Sequence, residues 1–228
     1  MHIMKLFAIR HGDIEYPYDE QGRKLVHGPN APLSNLGKVQ IHELGRRLTK
    51  EGIVLDAVYT SPYLRAQQTA KILSEELSGI NKYTIDGLKD VFPCSAEGKT
   101  WEDLEKIGAD IYTHPFSENQ ESLEHLVSRA RSTIETILVD AKQRGYDSIA
   151  IVSHGDTLSA IDWTLRHPVN PASYLEMRDA SYLQKAQVFE YPLDDKLRLS
   201  GEGRLITVEQ VKQSVEAFRN PSFREIQS

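Results

Sequence analysis

The apolar run Leu6-Phe7-Ala8-Ile9, followed at once by Arg10-His11-Gly12, constrains the fold of this chain more than any other stretch. A short apolar run that ends at a glycine is typical of a buried strand followed by a turn. In a parallel α/β sheet, functional residues gather at the carboxyl edge, where the strands end. An arginine and a histidine delivered together at that edge supply a fixed cation and a nucleophile or base. The tripeptide alone is equally consistent with a strand that ends in polar surface residues.

Strands and helices alternate along the rest of the chain. Strands are predicted over residues 55–59, 83–85, 148–153 and 185–191, the last at an edge of the sheet. Helices are predicted after the N-cap Ser34, from Pro62, over 100–107, over 121–144, after His154 and over 208–218. This alternation predicts an α/β fold with three layers, in which a mostly parallel β-sheet is flanked by helices on both faces.

The length and composition of the chain favour one large domain. Its 228 residues are 39% hydrophobic, which is enough apolar material to build a single core. We assign residues 1–193 to this domain and the charged residues 194–228 to a C-terminal extension that packs on it or trails from it. Residues 13–33 are rich in Tyr, Pro, Gly and charge and predict a long surface loop, a kind of segment that is commonly functional.

The charge pattern excludes several classes of partner. The formal net charge is -6 and no run of Lys and Arg is dense, so we expect no nucleic-acid partner. No apolar run is long enough to span a bilayer, so we expect no membrane partner. The single cysteine, Cys94, rules out an intramolecular disulfide and favours a reducing compartment. We therefore expect a cytoplasmic protein; its oligomeric state cannot be predicted from these features.

Two further predicted strands end in residues that match the chemistry of the first. One ends in Thr60-Ser61-Pro62, with Arg65 one turn into the following helix, and the other ends in His154-Gly155. Two arginines and two histidines that converge on one sheet edge, close to helix N-termini, form a cationic pocket. The ligand that best suits such a pocket is a phosphoryl group, because the guanidinium fork matches phosphate oxygens.

These residue types also suggest how a phosphoryl group would react. A neutral imidazole can attack phosphorus and form a phosphohistidine, which divides one difficult step into two. The arginines supply the positive charge that phosphoryl transfer needs, so we expect no metal and no other cofactor. A carboxylic acid is still required to protonate the leaving oxygen.

Taken together, the motifs resemble those of the histidine phosphatase superfamily, the phosphoglycerate mutase-like proteins. The resemblance spans residues 5–160 and includes, in the family's order, Arg10-His11-Gly12, Pro32-Leu33-Ser34, the run from Thr60 to Ala70, Glu121-Ser122 and Ser153-His154-Gly155. It implies a phosphoglycerate mutase-like fold and a small phosphorylated molecule as substrate. It also implies site roles, with His11 as the phosphorylated nucleophile and Arg10, Arg65 and His154 as the phosphate clamp. Gly12, Gly155 and Ser61 complete the predicted substrate-binding set.

The resemblance places the proton donor on the loop that begins Leu88-Lys89-Asp90. The family usually has glutamate at this third position and glycine eight residues later; here Asp90 stands in that place and Gly98 keeps the spacing. Aspartate reaches one methylene less far than glutamate, so two other carboxyl groups remain candidates. Glu97 is the second choice. Asp156 is the third, because the acid-phosphatase branch of the superfamily places its acid beside the corresponding histidine.

The first loop contains a second departure from the family. Family members often carry an asparagine seven residues after the arginine, where it helps to hold the phosphate, but Pro17 occupies that place here. Proline has no N–H to donate. Either another donor serves, or the phosphate site has one contact fewer. Arg23, Lys24 and His27 in the same loop are interpreted as ordinary loop polar residues, with contact to the substrate as the alternative.

We predict from these features a metal-independent phosphatase of the histidine (acid-type) class, which hydrolyses a phosphomonoester through phospho-His11. A phosphoglycerate mutase-type phosphoryl transferase is the first alternative. Mutases of the superfamily typically continue after the tripeptide as Glu-Ser-x-Trp-Asn, whereas this chain reads Asp13-Ile14-Glu15-Tyr16-Pro17. A catalytically weak module for phosphate binding or protein interaction is the second alternative, motivated by Asp90. A metal site at the histidines would make activity sensitive to chelators, but no His-x-x-x-His spacing supports it. The sequence does not identify the substrate.

Overall fold

The computed structural model describes residues 4–91, 97–106, 112 and 120–208, and its central feature is one six-stranded sheet. The strands are Met4–Arg10 (β1), Ala57–Thr60 (β2), Asn81–Thr84 (β3), Ser148–Ser153 (β4), Val188–Leu193 (β5) and Arg204–Ile206 (β6). The helices are Asn35–Lys50 (α1), Leu64–Glu76 (α2), Trp101–Lys106 (α3), Leu123–Gln143 (α4), Gly155–Arg166 (α5) and Tyr174–Ser181 (α6). A 3₁₀ turn covers Asp86–Leu88.

The strand order β3-β2-β4-β1-β5-β6 places β1 and β4 side by side at the centre of the sheet. The first four strands of this order are parallel, β5 runs antiparallel to β1, and β6 runs antiparallel to β5. The predicted α/β fold with a mostly parallel sheet is therefore confirmed. Arg10 is in register with Ser153, and Thr60 with Val152, so β1, β2 and β4 end at the same edge.

Helices cover both faces of the sheet because successive strand residues point to opposite sides. Phe7 and Ile9 of β1 belong to one buried cluster, which they share with α1 and α2. Leu6 and Ala8 belong to a second cluster on the other face, which they share with α4, α5 and α6. These two apolar layers hold β1 from both sides and fix the position of the residues that follow it.

Helix α1 begins and ends as the sequence predicts, and it anchors the start of the long loop. The Ser34 hydroxyl accepts a hydrogen bond from the Gly37 N–H and so caps the helix. A Cβ atom at Gly37 would lie 2.0 Å from the Asp13 carbonyl oxygen, so only glycine allows this close approach. Gly52, with φ of +70°, follows the end of the helix in a left-handed conformation. The contact between α1 and Asp13 keeps the loop close to the end of β1.

Several predicted elements are corrected by the structure. Strand β5 begins at Val188 and is an interior strand, because β6 pairs with its outer side. Strand β6 and helix α6 were not predicted. Pro62 does not enter the first turn of α2, since Tyr63 is the N-cap and the helix begins at Leu64. The predicted helix over 208–218 lies almost entirely outside the described residues.

Strand β6 comes from the segment that the sequence assigns to a C-terminal extension. Residues 204–206 continue the sheet beyond β5, so this part of the segment is packed on the domain. Among the described residues, no helix is long and apolar enough to cross a membrane.

Candidate active site

His11 lies just beyond the end of β1 and is almost completely buried, with 3% of its surface exposed. Its backbone N–H donates to the Ser153 carbonyl, which extends the pairing of β1 with β4 past the strand end. The imidazole Nδ1 lies 2.7 Å from the carbonyl oxygen of Gly12. Because a carbonyl can only accept, Nδ1 carries the proton and the lone pair is left on Nε2.

The surroundings of His11 keep its imidazole neutral. Burial is the main cause that lowers its pKa well below the usual value, and electrostatic interaction with His154, Arg65 and Arg10 lowers the pKa further. A neutral ring with its lone pair on Nε2 is the form that can attack an electrophile. The hydrogen bond to Gly12 acts in the opposite direction but is outweighed.

Gly12 and Gly155 are positions where the packing excludes a side chain. A Cβ atom at Gly12 would lie 2.6 Å from the Gly37 carbonyl oxygen. A Cβ atom at Gly155 would lie 2.5 Å from the hydroxyl oxygen of Tyr182. Both glycines therefore allow other parts of the chain to approach the ends of β1 and β4 closely.

Arg65, in the first turn of α2, directs its guanidinium to three partners and is 1% exposed. Its Nε donates to His11 Nε2 at 3.2 Å, and its Nη2 donates to Asp90 Oδ2 at 2.9 Å. Its Nη1 donates to the Gly28 carbonyl at 3.1 Å, which ties the long loop to the site. The guanidinium is thus held rigidly beside the imidazole of His11.

His154 follows β4 and is the N-cap residue of α5. Its Nε2 lies 2.8 Å from the hydroxyl of Ser61, and that hydroxyl also accepts from the Tyr63 N–H. With Ser61 donating to Nε2, the proton of the His154 ring is assigned to Nδ1. Burial first, and then the charges of Arg65 and Arg10, lower the pKa of His154 well below its usual value.

Arg10 reaches the same site from the end of β1. Its Nη1 donates to the Leu183 carbonyl at 2.8 Å, and its guanidinium carbon lies 4.8 Å from the ring centroid of Tyr182. These two contacts fix the direction of the fork. Arg10 and Tyr182 both line a cavity together with His11, Asp90 and Gly155.

Three buried nitrogen atoms, two from residues that line this cavity and one from His154 beside it, have no hydrogen-bond partner among the described residues. They are Arg10 Nε, His27 Nδ1 and His154 Nδ1. An unsatisfied buried polar group costs on the order of 1–3 kcal/mol, so a ligand that hydrogen-bonds to these atoms would remove that cost. Burial is the main cause that lowers the pKa of His27 to about 4, so this ring is neutral as well.

The three carboxyl groups proposed as the acid occupy different environments. Asp90 Oδ2 contacts Arg65 Nη2 and lies 3.4 Å from His154 Nδ1, and Asp90 lines the cavity. Glu97 is exposed and its carboxyl packs over Gly28, away from the cavity lining. Asp156 lines the cavity from α5 and is buried.

Asp156 is held by two tyrosine hydroxyls. Tyr174 donates to Oδ1 at 2.8 Å and Tyr112 donates to Oδ2 at 3.3 Å. Burial is the main cause that raises the pKa of Asp156 to about 6, and the negative charge of Asp90 adds to this effect. In the folded protein Asp156 therefore keeps its proton up to a pH of about 6, whereas an aspartate in the unfolded chain loses it at about pH 4.

We expect Asp156→Asn to change how stability depends on pH. Because the folded pKa is raised, Asp156 makes unfolding easier as pH rises from about 4 to about 6, an effect of about 3 kcal/mol in total. Asparagine cannot ionise, so the variant should gain about this much stability relative to wild type between pH 4 and pH 7. Urea unfolding at both pH values measures this difference. If the two proteins differ in free energy of unfolding by the same amount at both pH values, the pKa of Asp156 is not raised by folding and the prediction is wrong.

The structure brings together His11, Arg10, Arg65, His154 and Asp90, with Ser61, Gly12 and Gly155 as their immediate supports. Four further residues line the cavity without having been assigned to it from the sequence: Tyr16, His27, Tyr182 and Lys185. Tyr16 and His27 belong to the long loop, and Tyr182 and Lys185 follow α6. Among these four, only His27 carries a sequence signal, because it is followed by a glycine as His11 and His154 are. Within the described residues, no group of His, Cys, Asp and Glu is arranged to hold a metal ion.

Comparisons with known proteins identify the family of the chain. The histidine phosphatase superfamily (branch 1) matches residues 6–184. A provisionally named phosphoserine phosphatase of Hydrogenobacter thermophilus is 32% identical over 166 residues, which are 69% of this chain and 76% of that protein. A 2,3-bisphosphoglycerate-dependent phosphoglycerate mutase of Azorhizobium caulinodans is 25% identical over 172 residues, 68% of this chain and 78% of that protein.

A solved structure shows the same fold. The mycobacterial glucosyl-3-phosphoglycerate phosphatase superposes with a TM-score of 0.68 at 17% identity, over 90% of this chain and 98% of that chain. This likeness confirms the predicted phosphoglycerate mutase-like fold.

Proposed function

The chain belongs to the histidine phosphatase superfamily, branch 1, and on this premise we propose that it is a phosphatase that hydrolyses a small phosphomonoester through phospho-His11. The observation that carries the proposal is the set of buried nitrogen atoms around His11. Its Nε2 carries the lone pair, accepts a hydrogen bond from Arg65 Nε and lies near Arg10 and His154. A nucleophile surrounded by fixed donors is what phosphoryl transfer requires.

In the first step, the Nε2 lone pair of His11 attacks phosphorus and the bond from phosphorus to the ester oxygen breaks. The leaving oxygen takes a proton from Asp90, and the phosphoryl group remains on Nε2. In the second step, a water molecule attacks phosphorus and gives a proton back to Asp90. The N–P bond breaks, inorganic phosphate leaves, and His11 is free again.

The contacts of Asp90 suggest how substrate binding places the acid. One carboxylate oxygen, Oδ2, contacts both Arg65 Nη2 and His154 Nδ1. A phosphate oxygen is an equally good acceptor for these two donors and carries more charge. We propose that substrate phosphate takes over both contacts, and that the Asp90 carboxylate, no longer held by these two donors, takes up a proton from water and turns towards the leaving oxygen.

A panel of phosphorylated sugars, nucleotides, glycerates and phosphopeptides tests this proposal, with release of inorganic phosphate as the readout. We expect turnover of at least one class of small phosphomonoester. Tight phosphate binding without turnover of any phosphoester would contradict the proposal and support the alternative of a catalytically weak binding module.

A phosphoglycerate mutase is the second candidate, because relatives of the chain at 25–27% identity carry that name. The segment Asp13-Ile14-Glu15-Tyr16-Pro17 lacks the residues typical of mutases at this place. With 3-phosphoglycerate as substrate, a phosphatase releases inorganic phosphate, whereas a mutase forms the 2-phospho isomer. Isomer formation that exceeds phosphate release would reverse our preference.

We expect Arg65→Lys to weaken catalysis although it keeps the positive charge. Lysine cannot contact His11, Gly28 and Asp90 at once, because it lacks the planar fork. The expected loss is roughly 2 kcal/mol of transition-state stabilisation, about 30-fold in kcat/KM. Arg47→Lys is the matched control, since Arg47 forms an exposed ion pair with Glu51 far from the cavity lining. Near-wild-type kinetics for Arg65→Lys would make this arginine purely structural.

We also propose that the protein works in the cytoplasm on a small phosphorylated molecule. The single cysteine supports a reducing compartment, and the net charge of -6 does not favour a polyanionic partner. Fractionation of cells with an antibody to the native chain tests the location.

A further inference from the structure

Lys185 is a cavity-lining cation that the mechanism above does not use. It lies in the turn between α6 and β5, and its side chain lines the same cavity as Arg10 and His11. Its Nζ donates to Asp13 Oδ1 at 2.6 Å and to the hydroxyl oxygen of Tyr16 at 2.7 Å. The side chain is 22% exposed, so it is mostly withdrawn from bulk water.

The backbone around Lys185 is fastened directly to the residues that carry His11. The N–H of Ala186 lies 3.1 Å from the carbonyl oxygens of both Arg10 and His11, and the Arg10 N–H donates to the Gln187 carbonyl. These hydrogen bonds hold the end of β1 against the turn. A side chain projecting from it keeps a fixed position relative to the nucleophile.

Ala186 adopts a conformation that is unfavourable for alanine. Its φ is +58°, in the left-handed region, and the residue is fully buried. Strained residues of this kind persist where the surrounding structure requires them, and they cluster at ligand-binding sites. The left-handed turn at Ala186 separates Lys185 from β5, which begins at Val188, and the side chain of Lys185 lines the cavity.

The hydrogen-bonding capacity of Lys185 exceeds its contacts in the described part of the chain. An ammonium group has three N–H donors. Asp13 and Tyr16 accept two of them. No acceptor for the third N–H is found among the described residues, and the side chain lines the cavity. Asp13 and Tyr16 fix the ammonium in place, so little side-chain entropy remains to be lost when a ligand binds.

We propose that Lys185 is a substrate-binding residue whose third N–H donates to an oxygen of the substrate's phosphoryl group. This inference rests on the proposed function, which supplies the phosphoryl group as the anion. It adds a third cationic side chain to Arg10 and Arg65, on the side of the cavity formed by the long loop. It also provides a donor near Pro17, a position that cannot donate one.

The rival interpretation is that Lys185 only ties the loop down through its ion pair with Asp13. The two interpretations differ in what Asp13→Asn does. The Asn side-chain oxygen can still accept from the Ser34 hydroxyl, which donates to Asp13 Oδ2 at 2.9 Å, but the ion pair is lost. A structural role predicts that Asp13→Asn and Lys185→Met are equally harmful. A binding role predicts that Asp13→Asn keeps phosphate binding, because Tyr16 still holds the ammonium and the negative charge of Asp13 no longer competes with the phosphate.

The test is calorimetric titration of the full-length protein with inorganic phosphate. We expect Lys185→Met to raise the dissociation constant at least about tenfold, as for loss of one charge-assisted hydrogen bond. Asp13→Asn should not raise it. Lys24→Met is the matched control, because Lys24 lies 3.3 Å from the ring centroid of Tyr16 but does not line the cavity; it should leave the constant within about twofold.

The proposal is wrong if Lys185→Met binds phosphate within about twofold of wild type, or if Asp13→Asn loses as much affinity as Lys185→Met. Should Lys185→Met fail to fold, Lys185→Gln gives the same comparison, since it keeps length and polarity but not the charge. Phosphate binding and turnover are measured separately, so the two proposals can fail independently. If phosphate affinity depends on Lys185 but no phosphoester is turned over, this inference holds and the proposed phosphatase function is wrong.

Discussion

His11→Ala is expected to reduce kcat/KM by on the order of 10⁵-fold or more, because it removes the atom that forms the covalent intermediate. The remaining donors, Arg10, Arg65 and His154, should still bind phosphate. We therefore expect phosphate affinity to fall far less than turnover. Steady-state kinetics and phosphate titration on the same preparation check both expectations.

His27→Ala is the matched control for this variant. His27 is also a neutral, mostly buried histidine that lines the cavity, but nothing links it to a covalent step. Its loss should reduce kcat/KM by no more than about 100-fold, as for one lost hydrogen bond to a charged group. Comparable losses in the two variants would mean that His11 is only one binding group among several, and would remove it as nucleophile.

Asp90→Asn is expected to have an effect that depends on the leaving group. An alkyl alkoxide needs a proton to depart, whereas p-nitrophenolate departs readily without one. General acid catalysis contributes about 10²–10⁴-fold, so turnover of a sugar phosphate should fall by this factor while aryl phosphate cleavage falls little. Attack of water on phospho-His11 should slow too, since the same carboxylate serves as base. The expected signature with the aryl substrate is a burst of nitrophenol followed by a slow steady state.

Asp156→Asn and Glu97→Gln are the comparison variants for the acid. Asp156 lines the cavity and has a raised pKa, so it is the stronger rival, while Glu97 packs over Gly28 outside the cavity lining. We expect neither variant to separate alkyl from aryl substrates. If Asp90→Asn leaves alkyl substrates unaffected and one of these two shows the burst, the acid has been misassigned, although His11 would remain the nucleophile.

The parts of the fold that were predicted correctly are those with strong local patterns. Strand β4 matches its predicted bounds, Ser148–Ser153, because its central residues form an unbroken apolar run of the length typical of a buried strand. Helix α4 was predicted within two residues at its start, where Ser122 caps it, and within one at its end. In both cases the segment's own periodicity and its flanking residues contain the information.

The elements that were missed depend on partners distant in the sequence. Helix α6 has only eight residues and buries just Tyr174 and Met177, too few for a recognisable apolar stripe. Strand β6 has three residues, two of them exposed, and forms only because β5 offers it an unpaired edge. That pairing is also why β5 was wrongly predicted at the edge of the sheet.

The same distinction applies to the site. His11, Arg65 and His154 stand in motifs with recognisable spacing, and the parallel register of β1, β2 and β4 brings these motifs together. Lys185 belongs to no motif, and its place in the cavity depends on the strained turn at Ala186 and on contacts with Asp13 and Tyr16. Such an arrangement arises from tertiary packing, so the sequence pattern could not indicate it.

The central claim is that the phosphoryl group is carried on Nε2 of His11. Rapid acid-free quenching during turnover of an aryl phosphate, followed by peptide mass spectrometry, tests it most directly. We predict a phosphate adduct on the peptide that contains His11, stable in alkali, lost in mild acid and absent from His11→Ala. An adduct on another residue, or an acid-stable adduct that persists in His11→Ala, would contradict the mechanism.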